Sequence, residues 1–447
     1  MTLSYTVSFI SLGCAKNQVN CEQMMATCQK AGYTIQAAPE GADVVVVNTC
    51  GFLSSACEEA IDNILEMAEL KKAGQVKKIL VTGCMAQRYK EDVLSELPEV
   101  DGVLGTGSYG DIADAVAEVM DQGLRPCHLG NIHTAGQSGE RILSTAPWYA
   151  YLRIAEGCDN HCAYCVIPSL RGKYRSRPME ELLEEAAELA SAGVKELLVI
   201  AQDITRYGTD LSGEHQLAKL LTELCKLDFH WIRLHYLYPD EITDELIDVI
   251  AEEPKIVKYL DIPLQHVSKR ILRAMHRPGD GAEFTALIED MRRRIPGLVL
   301  RTSLIVGLPG ETDDEFAELC EFLQNAAIER VGVFEYSPEE GTEAAEMPDQ
   351  IDAETKQNRR LIVEELQSGV LDDYNTSRHG EVMQVLVEGF DDEQQLWYGR
   401  TYADSVEVDG HVYFDAMDTE PGEGEFVSVL ITESLGPDLL GVRQKEA

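Results

Sequence analysis

Residues Glu156–Gly172 read EGCDNHCAYCVIPSLRG, with cysteines at 158, 162 and 165 and no fourth nearby. Structural zinc closes its shell with four ligands, and a 4Fe-4S cubane presents four iron corners, each normally held by a thiolate. Three thiolates leave one place open, for water on zinc or for a substrate or cofactor on iron. The trio follows YLRIAEG, a strand-like run. Five more strand candidates come after it, ELLVIAQD, WIRLHYLY, KYLDIPLQ, LVLRTSLIVGLPG and VGVFEYSP, each trailed by a helical stretch. Six such units predict a partial (β/α)6 barrel of the TIM type over residues 146–378, whose active face lies at the C-terminal ends of the strands.

Upstream, in residues 1–145, TVSFISLG, DVVVVNT, KKILVTG and DGVLGTG alternate with amphipathic helical stretches. Buried β-branched runs of this kind predict a parallel α/β sheet domain. Cys14, Cys50 and Cys84 fall at or just past the ends of the first three strands, beside Gly13, Gly51 and Gly83. Strand ends of an open parallel sheet share one ligand-binding edge, so these residues are expected to converge into a second metal site. Again there are three ligands. QSGERILSTAPW reads as a linker. In residues 379–447 the helices stop, and EVMQVLVEGF, LWYGRTYA, SVEVDGHVYFD and EFVSVLITES predict a small antiparallel β-barrel. Asp391, Asp392 and Glu393 read as a solvated turn within it.

The bulk properties bound the partners. The 447 residues are 45% hydrophobic and 26% charged, with no long apolar run and no basic leader before the first strand. A cytoplasmic protein is expected, so twelve cysteines point to metal or redox chemistry rather than disulfides. Cys21, Cys28, Cys57, Cys127, Cys225 and Cys320 read as packing residues. Net charge is −40, which disfavours a broad nucleic-acid face. Residues 379–447 alone carry 16 acidic and three basic side chains, a net of −13.

Cys158-x3-Cys162-x2-Cys165 at the head of six β/α units resembles the radical S-adenosylmethionine (SAM) enzymes. There the open iron chelates SAM, which one electron cleaves to methionine and a 5′-deoxyadenosyl radical. The three-domain order, ending in a β-barrel of the TRAM type, resembles the methylthiotransferases over essentially the whole chain. That resemblance implies a 4Fe-4S cluster on each trio: an auxiliary one on Cys14, Cys50 and Cys84, and the SAM cluster on Cys158, Cys162 and Cys165. It places Tyr164 near the adenine, and Gln202, Asp203, Gln265, His266, Gly307, Gly310 and Glu311 around SAM. Taken alone, GLPGET is an ordinary turn with Thr312 as a helix cap. The resemblance implies no catalytic side chain beyond the clusters.

SLGCAKN, NTCGF, TGCMAQRY, IPSLRGKYRSRP, QDITRYG, IPLQH and FEYSPEEGTEA resemble the branch that methylthiolates the β-carbon of an aspartate in ribosomal protein uS12. Ala15 departs from the proline usual there. The acidic barrel suits a basic ribosomal protein better than RNA. The basic run Arg171, Lys173, Arg175 and Arg177 is expected to pair with local carboxylates. The remaining expected partners are an electron donor such as flavodoxin or ferredoxin, and a sulfur donor. The alternatives are a tRNA adenosine methylthiotransferase and a non-catalytic iron–sulfur scaffold.

Overall fold

The run DVVVVNT puts apolar side chains on both faces of a strand, which only a sheet covered on both sides can bury. In the computed structural model, which describes residues 4–134, 136, 138–417 and 419–444, strand Val44–Thr49 is buried at every position. It belongs to a six-stranded parallel sheet ordered Thr34–Gln36, Thr6–Ser11, Val44–Thr49, Lys78–Gly83, Gly102–Gly107, Cys127–Gly130. Val45, Val47, Ile79 and Val81 pack on Ala60 and Ile64 of helix Ser54–Lys72. Val44, Val46 and Leu80 pack on the other face, against Met24 of helix Ala15–Lys30 and Ile112 of helix Ile112–Asp121. The two outermost strands were not expected. Three and four residues long, they carry too few side chains to show a period.

Strands Tyr149–Arg153, Glu196–Ile200, Trp231–Leu234, Ile256–Asp261, Val299–Val306 and Arg330–Glu335 form a second parallel sheet in sequence order. Each crossover adds its strand beside the last, as successive right-handed β/α units do. Among the described residues no pairing joins the last strand to the first, so this is the six-unit partial barrel the sequence predicts. A two-stranded ladder, Ala155–Glu156 with Arg175–Ser176, brackets the cysteine loop.

The C-terminal barrel is closed by five strands, Val382–Asp391, Leu396–Arg400, Val412–Asp415, Asp438–Arg443 and Phe426–Leu435. Four of its five pairings are antiparallel, as expected, and one, Val412–Asp415 with Asp438–Arg443, is parallel. The fifth strand, DLLGVR, turns back after Gly436 and seals the edges left by its neighbours. The barrel docks at the end of the second sheet away from the cysteines. There Glu196, the first residue of its strand, holds Arg400 of the small barrel at 2.7 Å and Arg233 at 2.6 Å. Burial opposes ionisation of Glu196, but the two guanidinium groups hold its carboxyl at about 2. No helix among the described residues is long and apolar enough to cross a membrane.

Candidate metal centres

The N-terminal trio is assembled by sheet register. Ser11 lies opposite Asn48, and Thr49 opposite Gly83, so the three strands end level and deliver Cys14, Cys50 and Cys84 to one edge. Two glycines make the approach possible. Gly83 sits at φ +100, where a Cβ would lie 2.4 Å from the Thr49 carbonyl oxygen. At Gly13, φ +89, a Cβ would lie 2.8 Å from that of Cys50. Asn17 ties the loops together by donating to the carbonyls of Leu12 at 3.0 Å and Thr49 at 2.9 Å. Its Oδ1 meets the Cys84 Sγ at 3.8 Å and accepts from Arg171 at 2.5 Å.

Burial pushes the Cys84 thiol up to about 11, against the pull of Arg171, and raises Cys50 as well. Burial opposes ionisation of Cys14 too, but Lys16, Arg171 and two backbone N–H groups outweigh it and lower its pKa. Cys14 is exposed to solvent yet strongly desolvated by its surroundings, as a side chain lining a recess would be. Cys14 raises the pKa of Cys50, and both raise that of Cys84, so the three are a donor set that a metal cluster, not free thiolates, would satisfy.

The second trio is local, carried by one loop. The Asn160 and Ile167 N–H groups donate to Cys158 and Cys165 Sγ at 3.4 and 3.5 Å, while burial pushes these thiols up to about 11 and about 12. The Tyr238 hydroxyl stands 3.0 Å from Cys162 Sγ. Arg277 donates to that hydroxyl at 2.5 Å, to the Pro263 carbonyl at 2.7 Å and to Cys162 Sγ at 3.8 Å. Hydrogen bonds of this kind to thiolates tune iron–sulfur clusters. Tyr238 and Arg277 were not singled out in the sequence, where Tyr238 is simply the last residue of the strand candidate WIRLHYLY. His161 is exposed and Tyr164 half-buried, packed with Ala163, Ile271 and Leu308.

Neither trio suits a single ion. Among the described residues no three Cys, His, Asp or Glu side chains converge on one point, whereas a cubane takes its thiolates at separate corners. The two sites abut. Cys84 packs in one buried cluster with Val166, the neighbour of Cys165, and with Leu170. Arg171, fully buried, bridges them: it pairs with Glu156 at 2.9 Å and reaches Asn17 and Asn20 of the N-terminal domain. Burial opposes ionisation of Glu156, but Arg171 and Arg153 hold its carboxyl at about 2. Arg177 pairs with Glu185, so two members of the basic run are neutralised locally as expected. Glu339, after the sixth strand, is a second bridge. It accepts from the Ser54 N–H and from Arg88, each at 2.9 Å, and Arg88 also holds the Gly51 carbonyl.

The other residues singled out in the sequence divide. Gln202 donates to Glu156 at 3.1 Å, and its buried Oε1 has no partner among the described residues. Asp203 is buried and accepts from Asn160 of the cysteine loop; burial raises its pKa despite that bond and those from Thr205. Gln265, at φ 71, bridges to the fifth strand through Ser303 and Ile305. His266 is held neutral by burial, which lowers it to about 4, and its Nε2 makes no hydrogen bond among the described residues, with Glu311 Oε2 3.9 Å away. Glu311 is fully engaged, accepting from the N–H groups of Gly307 and Leu308 and from Arg359. It shapes the turn containing Gly307 and Gly310, both at φ 72. Thr312 forms the expected cap, in a capping box with Glu315.

Residues 152–323 match the radical SAM superfamily, residues 380–443 the TRAM domain, and residues 6–105 the family described as uncharacterized protein family UPF0004. The ribosomal protein uS12 methylthiotransferase RimO of Lachnoclostridium phytofermentans is 47% identical over 443 residues, spanning 98% of this chain and 100% of that protein. Its counterpart in Clostridioides difficile (strain 630) is 44% identical over 437 residues, spanning 97% and 98%. The radical SAM methyltransferase TsrM from Kitasatospora setae shares the fold, with a TM-score of 0.55 at 14% identity over 74% of this chain and 75% of that one. The chain belongs to the RimO family of radical SAM methylthiotransferases.

Proposed function

We propose that this enzyme adds a methylthio group to the β-carbon of an aspartate in ribosomal protein uS12, with one 4Fe-4S cluster on Cys14, Cys50 and Cys84 and another on Cys158, Cys162 and Cys165. SAM and 4Fe-4S clusters are its cofactors. The observation that carries the reading is the abutment of the two trios through Cys84, Val166 and Leu170. Chemistry that begins at one cluster and ends at the other needs such closeness.

When bound, these cofactors supply an electron, a carbon-centred radical and a transferable sulfur. The chain positions and shields them. Arg277 and Tyr238 hold a hydrogen bond on Cys162, and the backbone of Asn160 and Ile167 does so on Cys158 and Cys165. Arg171, paired with Glu156, ties the two sites together through Asn17 and Asn20. Gln202, with its free carbonyl oxygen, and the glycine turn at Gly307–Gly310 line the strand ends where SAM would lie. A one-electron donor of the flavodoxin or ferredoxin class and a sulfur donor complete the cycle.

The test is anaerobic reconstitution with iron, sulfide, SAM and dithionite, followed by mass spectrometry of uS12 and nucleoside analysis of tRNA. A methylthio group on one aspartate of uS12, with unmodified tRNA, is the expected result. Methylthiolated adenosine alone would move the enzyme to the tRNA branch, and absence of 5′-deoxyadenosine would leave only a scaffold.

A further inference from the structure

Lys16 is out of keeping with its surroundings. It lies two residues past Cys14, at the start of helix Ala15–Lys30, and only 8% of it is exposed. A buried ammonium is ordinarily paired with a carboxylate, because the charge is costly to remove from water. Among the described residues no carboxylate pairs with it. Its Nζ lies 3.4 Å from the Ala201 carbonyl oxygen and 3.4 Å from the ring centroid of Tyr236. A carbonyl and an aromatic face solvate a cation but leave its charge standing.

The surroundings fix where that charge is presented. Ala201 directly follows the second barrel strand and precedes Gln202; Tyr236 follows the third. Lys16 therefore reaches from the Cys14 edge of the N-terminal sheet to the C-terminal ends of the second and third barrel strands. Tyr236 is held at φ 65, a left-handed backbone that tyrosine rarely adopts and that persists only where the surrounding structure holds it. The barrel trio has its own cation in Arg277, and Arg171 is taken by Glu156.

We propose that Lys16 binds the carboxylate of the substrate side chain, anchoring an acidic residue between the two trios and rejecting its amide. This rests on the reading that uS12 is the substrate and an aspartate the target. An ammonium–carboxylate contact in a desolvated site distinguishes acid from amide, because asparagine would leave the ammonium unneutralised.

The test is a two-by-two comparison on the reconstituted enzyme without reductant, so that binding is read rather than turnover. Wild type and K16M are titrated with uS12 and with uS12 carrying asparagine at the target position, while iron content and SAM affinity are measured alongside. Wild type should prefer the aspartate form by about tenfold or more, the K16M enzyme should bind both forms within about twofold, and K16R should restore part of the preference. Equal discrimination by wild type and K16M overturns the inference. So does a K16M defect confined to SAM affinity, which would assign the cation to the methionine carboxylate, or one confined to iron content, which would make it a counter-charge to the cluster. Wild-type enzyme that binds uS12 without preferring the aspartate form also overturns it, whereas failure to bind uS12 at all overturns the substrate reading beneath it.

Discussion

The two cysteine trios reach similar chemistry by opposite routes. One is gathered from three strands across about seventy residues of chain, from Cys14 to Cys84. The other fits in eight residues, from Cys158 to Cys165. The dispersed site depends on sheet register, on Gly13 and Gly83, and on Asn17 tying the loops together. The compact site is laid out by one loop and finished by Tyr238 and Arg277 from elsewhere in the barrel. A dispersed site can be lost by displacing any one of its three strand-end loops, a compact one only by changing its single loop. The contacts that hold the strand-end loops should therefore govern the first and local hydrogen bonding the second.

The largest effect that sharpens this contrast is removal of the ligands. Each cubane holds four irons, so the reconstituted enzyme should bind about eight per chain. Changing Cys158, Cys162 and Cys165 to Ala should leave about four and abolish SAM cleavage. Changing Cys14, Cys50 and Cys84 to Ala should likewise leave about four, yet spare SAM cleavage without methylthio product. Iron unchanged by the second substitution would remove the auxiliary site.

Next is Glu339→Ala, which strikes the dispersed site from another domain. Arg88 and Glu339 form a buried pair, and deleting one partner of such a pair costs about 3–5 kcal/mol. The change also frees the Ser54 N–H, four residues from Cys50, and loosens the hold of Arg88 on Gly51. The ratio of methylthio product to 5′-deoxyadenosine should fall by about tenfold or more, the equivalent of roughly 1.4 kcal/mol of misplacement at the reacting centre. If product and 5′-deoxyadenosine fell together, the latch would serve general stability only.

Tyr238→Phe tests the compact site with a smaller stroke. It removes the hydroxyl 3.0 Å from Cys162 Sγ and leaves the ring beneath Arg277. Loss of a hydrogen bond to a thiolate disfavours the reduced, more negative cluster. At about 1 kcal/mol the midpoint potential should drop by roughly 40 mV, read by redox titration of the barrel cluster in enzyme lacking the first trio. An unchanged potential would mean that Arg277 alone carries the tuning.

What the sequence made legible follows the same division. Strands with apolar side chains on both faces, such as Val44–Thr49, announce themselves because burial demands them. The cysteines were found through their spacing from strand ends, which needs only the topology. Groups that arrive from a distance were invisible: Tyr238 and Arg277 at Cys162, Glu339 at Ser54, and Arg171 reaching Asn17. No local pattern marks a side chain whose partner is 76 or more residues away. Glu311 shows the reverse limit, for its position at a strand end marked it for SAM, while its carboxylate is spent on Gly307, Leu308 and Arg359. The fifth barrel strand escaped because DLLGVR lacks a clean alternation.

The smallest expected effect lies in neither trio but in the acidic barrel, and it checks that docking and chemistry are separable. Asp392 and Glu393 are exposed in the turn after strand Val382–Asp391, whereas Asp391 caps the N–H groups of Glu393 and Gln394 and holds the turn's shape. Asp392→Lys with Glu393→Lys therefore changes the field without unfolding the turn. A basic ribosomal protein should associate more slowly, by roughly two- to fivefold at low salt, since exposed charges act chiefly on encounter rates. The gap should close above about 0.1 M salt, where screening reaches about 10 Å. SAM cleavage should not change, because both trios lie in other domains. Stopped-flow association at two salt concentrations decides it. A rate independent of these charges would leave the acidity of the barrel a matter of solubility, with docking borne by the surfaces nearer Lys16.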